Sequence, residues 1–153
     1  MTPSEAGKIV RHVLCRGLSH EQSEQILNAM MPVKADAGLV VFKEGERAQG
    51  LMVLLDGAVD VFKNGRTGAI ATVAAPAVLG EISLLTEGPH TASVRAKTAC
   101  EFSLLTTTQF HRLLREESVA AYKVIAILAG VVARRLHRMD EKFVEVSRLT
   151  DWS

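Results

Sequence analysis

Residues 78–94 read VLGEISLLTEGPHTASV, and they break the pattern of the chain on both sides. A strand-like run stops at the pair Gly80-Glu81, a brief helix-like turn follows from Ile82 to Leu85, and the chain bends at Gly88-Pro89 before a strand resumes. A compact loop therefore bridges two strands. Gly80 lets backbone approach a ligand closely. The amides of Ile82 and Ser83, at the start of the turn, are placed to point outward as donors, which favours an anion through unpaired N–H groups and the dipole of the turn. Glu81 beside such a cradle suits a ligand that also carries a sugar hydroxyl in need of an acceptor. A nucleotide has both features, although a glycine followed by an acidic residue is also ordinary helix-start chemistry.

Around this stretch the sequence is punctuated into short strands: LVVF (39–42), LMVLL (51–55), AVDVFK (58–63), AIATVA (69–74), TASVRA (91–96) and CEFSLL (100–105). Val59 and Val61 alternate with Asp60, and Val94 sits between Ser93 and Arg95, so one face is expected buried and the other wet. Asp56-Gly57 and Asn64-Gly65 are pairs that tight hairpin turns prefer, which predicts antiparallel pairing of neighbouring strands.

Helical patterns flank the strands. Before them, Ser19 and Gln22 form a capping box ahead of Ile26, Leu27 and Met30, and Pro32 closes the segment. After them, Thr106 to Gln109 can form a second box ahead of Phe110, Leu113 and Leu114, and Ser118 can cap a longer helix. In that last helix Tyr122, Ala129, Leu136 and Phe143 occupy one heptad position and Ile125, Val132, Met139 and Val146 the other. The seam can pack on its own strands from Ile125 to Val132. Beyond Leu136 a second copy of the chain is the better partner, because a domain of this size has little apolar surface left to cover it.

A chain of 153 residues with 48% hydrophobic content can fill one core. Its 18 Lys+Arg nearly balance 17 Asp+Glu, which gives no net-charge case for nucleic acid or an anionic membrane. The RRLHR run (134–138) is flanked by Glu116, Glu117, Asp140 and Glu141 and reads as a solvated helix face. The aliphatic run from Val124 to Ala133 is half a membrane span, and the N-terminus lacks a signal pattern, so a cytoplasmic protein is expected. Cys15 and Cys100 have no ligand spacing, the five histidines form no metal motif, and Trp152 is expected exposed or packed locally. No metal, no resident cofactor and no metal-dependent catalysis are indicated.

The strings FKEGE (42–46), LLDGAVDVF (54–62), LGEISLL (79–85) and PHTASV (89–94), in this order, resemble the cyclic nucleotide-binding domain family, over roughly Leu18 to Met139. The resemblance implies an α+β fold: an antiparallel, jelly-roll-like β-roll with N-terminal helices, a short helix in the ligand loop and a long C-terminal helix. It implies that Gly80, Ile82 and Ser83 offer backbone donors to a cyclic phosphate, that Glu81 accepts from the ribose 2′-hydroxyl, and that Thr91 adds a hydroxyl donor. Gly45 and Gly57 match turn glycines. Family members also cap the base from the C-terminal helix, where Arg134 and Arg135 lie.

The departure is His90, where the family usually places an arginine. A guanidinium carries a permanent charge and a fork of donors, whereas an imidazole is mostly neutral above its reference pKa of ~6.5. Either protonated His90 binds the phosphate, or another residue supplies the charge, or the pocket no longer serves a cyclic nucleotide.

One domain over residues 1–153 is expected, with a helical lead-in at 1–33, a β-roll at 37–106 and C-terminal helices at 107–148. The reading is a sensor that is not an enzyme: it takes cAMP or cGMP through Gly80, Glu81, Ile82, Ser83, His90 and Thr91 and signals through the C-terminal helix to an effector protein. A homodimer through Ile125, Val132, Leu136, Met139 and Phe143 accompanies it. The alternative is a roll that binds no nucleotide and serves as a dimerisation or interaction module. Too few residues follow Met139 for a helix-turn-helix domain, so no DNA-binding domain is expected.

Overall fold

The computed structural model describes the backbone of residues 1–150 and the side chains of residues 1–142. Two helices, α1 (Pro3–Leu14) and α2 (His20–Ala29), lead into β1 (Met30–Ala35), β2 (Val40–Phe42), β3 (Gly50–Asp56), β4 (Ala58–Phe62), β5 (Ala71–Ala74) and β6 (Ala77–Leu79). The short α3 (Glu81–Thr86) separates these from β7 (Ser93–Ala96) and β8 (Cys100–Thr106), and α4 (Thr107–Arg115) and α5 (Val119–Thr150) complete the fold. The strands form two four-stranded antiparallel sheets, in the orders β1-β8-β3-β6 and β2-β7-β4-β5. This is the expected α+β roll with helices at both ends.

The helix boundaries follow from capping chemistry. Ser19 accepts from the Gln22 amide while the Gln22 side chain accepts from the Ser19 amide, which starts α2 as expected. Thr2 and Glu5 make the same reciprocal pair at α1. At α4 only half the box forms: Thr106 accepts from the Gln109 amide, and the Gln109 side chain instead accepts from Arg112.

Strand β3 shows how the sheets assemble. Leu51, Val53 and Leu55 enter a core shared with Leu14, Ile26, Phe110, Val124 and Leu128 of the helices, while Met52 and Leu54 enter a second core between the sheets with Val59, Val94 and Phe102. A strand covered on both faces carries no polar alternation, which is why LMVLL reads as a continuous apolar run.

Three expectations need correction. Residues 30–35 are a strand, so the helical lead-in stops at Ala29 rather than 33 and the sheets begin at Met30 rather than 37. Pro32 sits inside that strand, opposite Ser103, at the sheet edge where the missing N–H is tolerated. Val78 and Leu79, which belong to none of the strands named from the sequence, form β6 with Ala77.

The third correction concerns pairing. Asp56-Gly57 does not close a hairpin: β3 pairs with β6 and β8, β4 with β5 and β7, so the chain crosses between sheets at Gly57. Among the described strands only β4 and β5 are both consecutive and paired, through the loop that carries Asn64-Gly65.

On α5, Ala120, Ala121, Val124 and Leu128 are buried, Ile125 and Val132 are half-buried, and Tyr122, Ala129, Leu136 and Met139 are exposed. The expected seam therefore divides, its first part leaning on the domain's own core. Phe143 and Val146 lie outside the described side chains, and Trp152 outside the described residues. Among the described residues no helix is long and apolar enough to cross a membrane, and no group of His, Cys, Asp and Glu gathers to hold a metal ion.

Candidate ligand-binding site

Gly80 is the N-cap of α3 and adopts left-handed backbone, φ 79°. A Cβ there would stand 3.0 Å from the Gly50 carbonyl oxygen and 3.7 Å from Cε1 of His90, so glycine is required by conformation and by space. Leu84 makes the first backbone hydrogen bond of the turn, to the Gly80 carbonyl at 3.2 Å. The amides of Glu81, Ile82 and Ser83 precede it, the position at which a helix leaves donors without intrahelical partners.

Glu81 points inward and is only 3% exposed. A carboxylate removed from water needs an opposite charge. Arg135 of α5 supplies it: Nη1 donates to Glu81 Oε1, and Nη2 donates to the Val78 carbonyl at 2.9 Å. Burial, and then neighbouring Arg138, pull the pKa of Arg135 below the usual guanidinium value. The long helix is thus fastened to the start of α3 by its acidic residue.

The other end of the loop is held separately. Ser83 is buried, and its hydroxyl donates to the Pro89 carbonyl at 3.0 Å, drawing the end of the loop onto α3. His90 donates its backbone N–H to the Glu46 carbonyl at 3.0 Å and accepts from the Gly45 N–H at 2.8 Å. Its imidazole is 5% exposed and stacked on Phe42, with ring centroids 3.8 Å apart and planes 10° from parallel. Burial pushes the pKa below the ordinary histidine value, with Glu46 pulling the other way. Ile82 and Thr91 are exposed. The expected site residues therefore lie along one loop, with His90 brought back against Gly80.

Two clefts lie nearby or apart. One of about 500 Å³, lined by Gly45, Arg47, Ser83, Pro89, Thr107 and His111, runs behind the loop. There His111 pairs with Glu87 at 3.2 Å. An apolar groove of about 740 Å³ runs between α1 and the β1–β8 edge, well away from the loop. Neither is lined by Glu81 or His90, which are covered by α5 and by the Phe42 ring.

Two residues of this arrangement were not assigned their roles from the sequence. Phe42 lies in FKEGE, but nothing in that string marks its ring as a partner for His90. Arg135 was named for its reach toward a base, while its partner is a carboxylate 54 positions earlier.

The family model for the cyclic nucleotide-binding domain matches residues 32–117. A cAMP-dependent protein kinase regulatory subunit of Aspergillus niger is 32% identical over 101 residues, 66% of this chain and 25% of that protein. The chain thus spans about a quarter of the length of that relative. A cyclic nucleotide-binding domain from Methylobacillus flagellatus KT superposes with a TM-score of 0.80 at 25% identity, covering 94% of this chain and 83% of that one. The catabolite activator protein of Thermus thermophilus gives 0.73 at 28% identity, covering 88% and 62%. The family match over more than half of the chain and the fold agree: the chain belongs to the cyclic nucleotide-binding domain family.

Proposed function

We propose that this chain is a regulatory module that binds a cyclic nucleotide in the roll, with cAMP the first ligand to test, and that it acts by binding rather than by catalysis. The observation that carries the reading is Glu81, a buried carboxylate beside the left-handed Gly80 whose counter-charge comes from α5. In this reading the amides of Gly80, Ile82 and Ser83 and the hydroxyl of Thr91 face the phosphate, Glu81 accepts from the ribose, and His90 donates to the phosphate when protonated. A ribose hydroxyl that takes Glu81 competes with Arg135, so ligand in the pocket alters the hold on α5, which is the output. The coupling is limited to the ligand's differential affinity for the two helix positions. The cytoplasm is the compartment we assign, and the two free cysteines, Cys15 and Cys100, suit it.

Calorimetric titration of nucleotide-stripped protein with cAMP and cGMP at pH 6 and pH 8 tests the binding. Saturable heat, tighter at pH 6, is the expected result. The sign follows from His90: an anion favours imidazolium, so affinity falls as pH rises through the pKa of the bound state and levels off below that of the free state.

A second reading, a roll that keeps its architecture without a nucleotide, is favoured by one observation: the imidazole that replaces a guanidinium is stacked, buried and biased toward its neutral form. Absence of heat with either nucleotide at both pH values selects it.

The α5 link gives a stability test. Arg135→Ala leaves the Glu81 carboxylate buried without its partner. Because the Arg135 side chain is itself 42% exposed, the expected cost is about 1–2 kcal/mol, at the lower end for breaking a charged hydrogen bond. Thermal unfolding should show Tm lower by roughly 2–8 °C. Glu81→Gln in the same background should restore part of the loss, and no change in Tm on Arg135→Ala would dismiss the link.

A homodimer through α5 completes the proposal. Tyr122, Leu136 and Met139 are 53%, 56% and 66% exposed on one helix, an apolar stripe that a second copy would cover. Sedimentation of the wild type at tens of micromolar should give a dimer, and Leu136→Glu with Met139→Glu a monomer. A monomeric wild type rules the seam out.

A further inference from the structure

The backbone of His90 is fixed without help from its side chain, through the Glu46 carbonyl and the Gly45 amide. The stack on Phe42 therefore holds the ring rather than the loop. In the stacked pose Cε1 is the His90 atom that approaches Gly80, 3.7 Å from where a Cβ would stand. Cε1, which lies between the two ring nitrogens, is the only His90 atom within 4 Å of that point, so the ring meets Gly80 by that corner rather than flat. A side chain released from such a stack must be ordered again whenever it makes a directed hydrogen bond, which weakens binding.

We propose that Phe42 is a positioning residue that holds the donor edge of His90 toward the ligand, and that binding of an anionic ligand there takes up one proton from solvent onto the imidazole. The inference rests on the cyclic nucleotide reading and names how that site is regulated: the module responds to ligand and acidity together. The chemical change is one solvent proton moving to the unprotonated ring nitrogen, and no other bond is made or broken. The charged groups around the ring have separate occupations. Glu46, on the β2–β3 connection, is the one that acts on His90. Glu81 on α3 is engaged by Arg135, Glu87 after α3 by His111, and Arg47 lines the cleft behind the loop. A bound phosphate brings the anion that offsets the cost of charging a buried ring, and a protonated ring is also attracted to the face of Phe42.

The test joins two measurements on wild type, Phe42→Leu and Phe42→Tyr. Proton NMR follows the His90 Cε1–H, assigned by its loss in His90→Gln, through a pH titration of ligand-free protein. Calorimetry with cAMP in two buffers of different ionisation heat counts protons taken up per ligand. Wild type should show a ring-current-shifted His90 signal and buffer-dependent heat corresponding to uptake. Phe42→Leu should lose the ring-current shift, change the titration, and bind about three- to tenfold more weakly with altered uptake. Phe42→Tyr, which keeps the ring, should match wild type. Saturable heat that is independent of buffer, or a His90 titration and affinity unchanged in Phe42→Leu, overturns this inference alone. No heat in wild type with cAMP or cGMP overturns the nucleotide reading, and this inference with it.

Discussion

His90→Arg is expected to tighten cyclic nucleotide binding by roughly ten- to hundredfold and to remove its pH dependence between pH 6 and pH 8. A hydrogen bond to a charged group is worth about 1.5–3 kcal/mol, which is that range in affinity. The guanidinium adds a charge that no accessible pH removes and a planar fork that can grip a phosphate with two donors. It can also lie flat on Phe42, as guanidinium groups do on aromatic faces, so the stack that orients the imidazole need not be lost. Calorimetry at the two pH values reads both effects. Equal affinity in the variant and the wild type would mean that residue 90 does not face the ligand. Binding only in the variant would mean that the wild-type roll no longer uses a nucleotide.

Gly57→Ala is expected to be the most damaging single methyl group that can be added at the crossing between the sheets. Gly57 has φ 94°, where a side chain costs about 1–2 kcal/mol. Its Cβ would meet Cys100 Sγ at 2.8 Å and Thr98 Oγ1 at 2.9 Å, and the Ala99 carbonyl oxygen closer still. Those atoms cannot easily give way. The Lys97 and Thr98 amides both donate to the Ala58 carbonyl, the Ala58 amide donates to Thr98 Oγ1, and the Ala75 amide donates to the Gly57 carbonyl at 3.0 Å. Overpacking such a corner adds about 1–3 kcal/mol. The total of about 2–5 kcal/mol should lower Tm by roughly 4–20 °C in a thermal melt. An unchanged melt would show that the corner is looser than its hydrogen bonds indicate. Gly65→Ala is the control: φ is also positive there, at 81°, but nothing lies within 4 Å of the added Cβ, so only the conformational part should appear.

The contrast between these two glycines also explains what could be read from the sequence. Both stand in pairs that favour positive φ, and the chemistry of a turn is local, so both turns were legible. Whether a turn closes a hairpin or carries the chain into another sheet depends on strands far away, and Asp56-Gly57 gives no sign of it. Strand β1 was hidden because MMPVKA offers weak alternation and a proline, and its partner is distant in sequence. The capping box of α2 was legible because it is decided within a few residues, whereas the double-faced burial of β3 departs from the expected wet face and depends on helices and a second sheet far along the chain. The loop from Gly80 to Thr91 was singled out mainly by resemblance: Gly80 and Glu81 alone also describe a routine helix start. The side-chain partners that set its chemistry, Phe42 for His90 and Arg135 for Glu81, bridge 48 and 54 positions, and no periodicity connects them.

The pairing of β1 with β8 sets Met30 opposite Leu105 and Ala35 opposite Cys100, so about seventy residues separate the partners. On the ribosome, at ~5–20 residues per second, β1 waits roughly 4–14 s before the strand that will shield it exists. Contacts this distant also make the roll a slow folder compared with a helical bundle of equal size. During that wait β1 is an unpaired strand able to template the wrong neighbour, and proline, which lacks the N–H that such pairing needs, blunts it. Pro32 therefore protects the nascent chain before it has any place in the finished sheet.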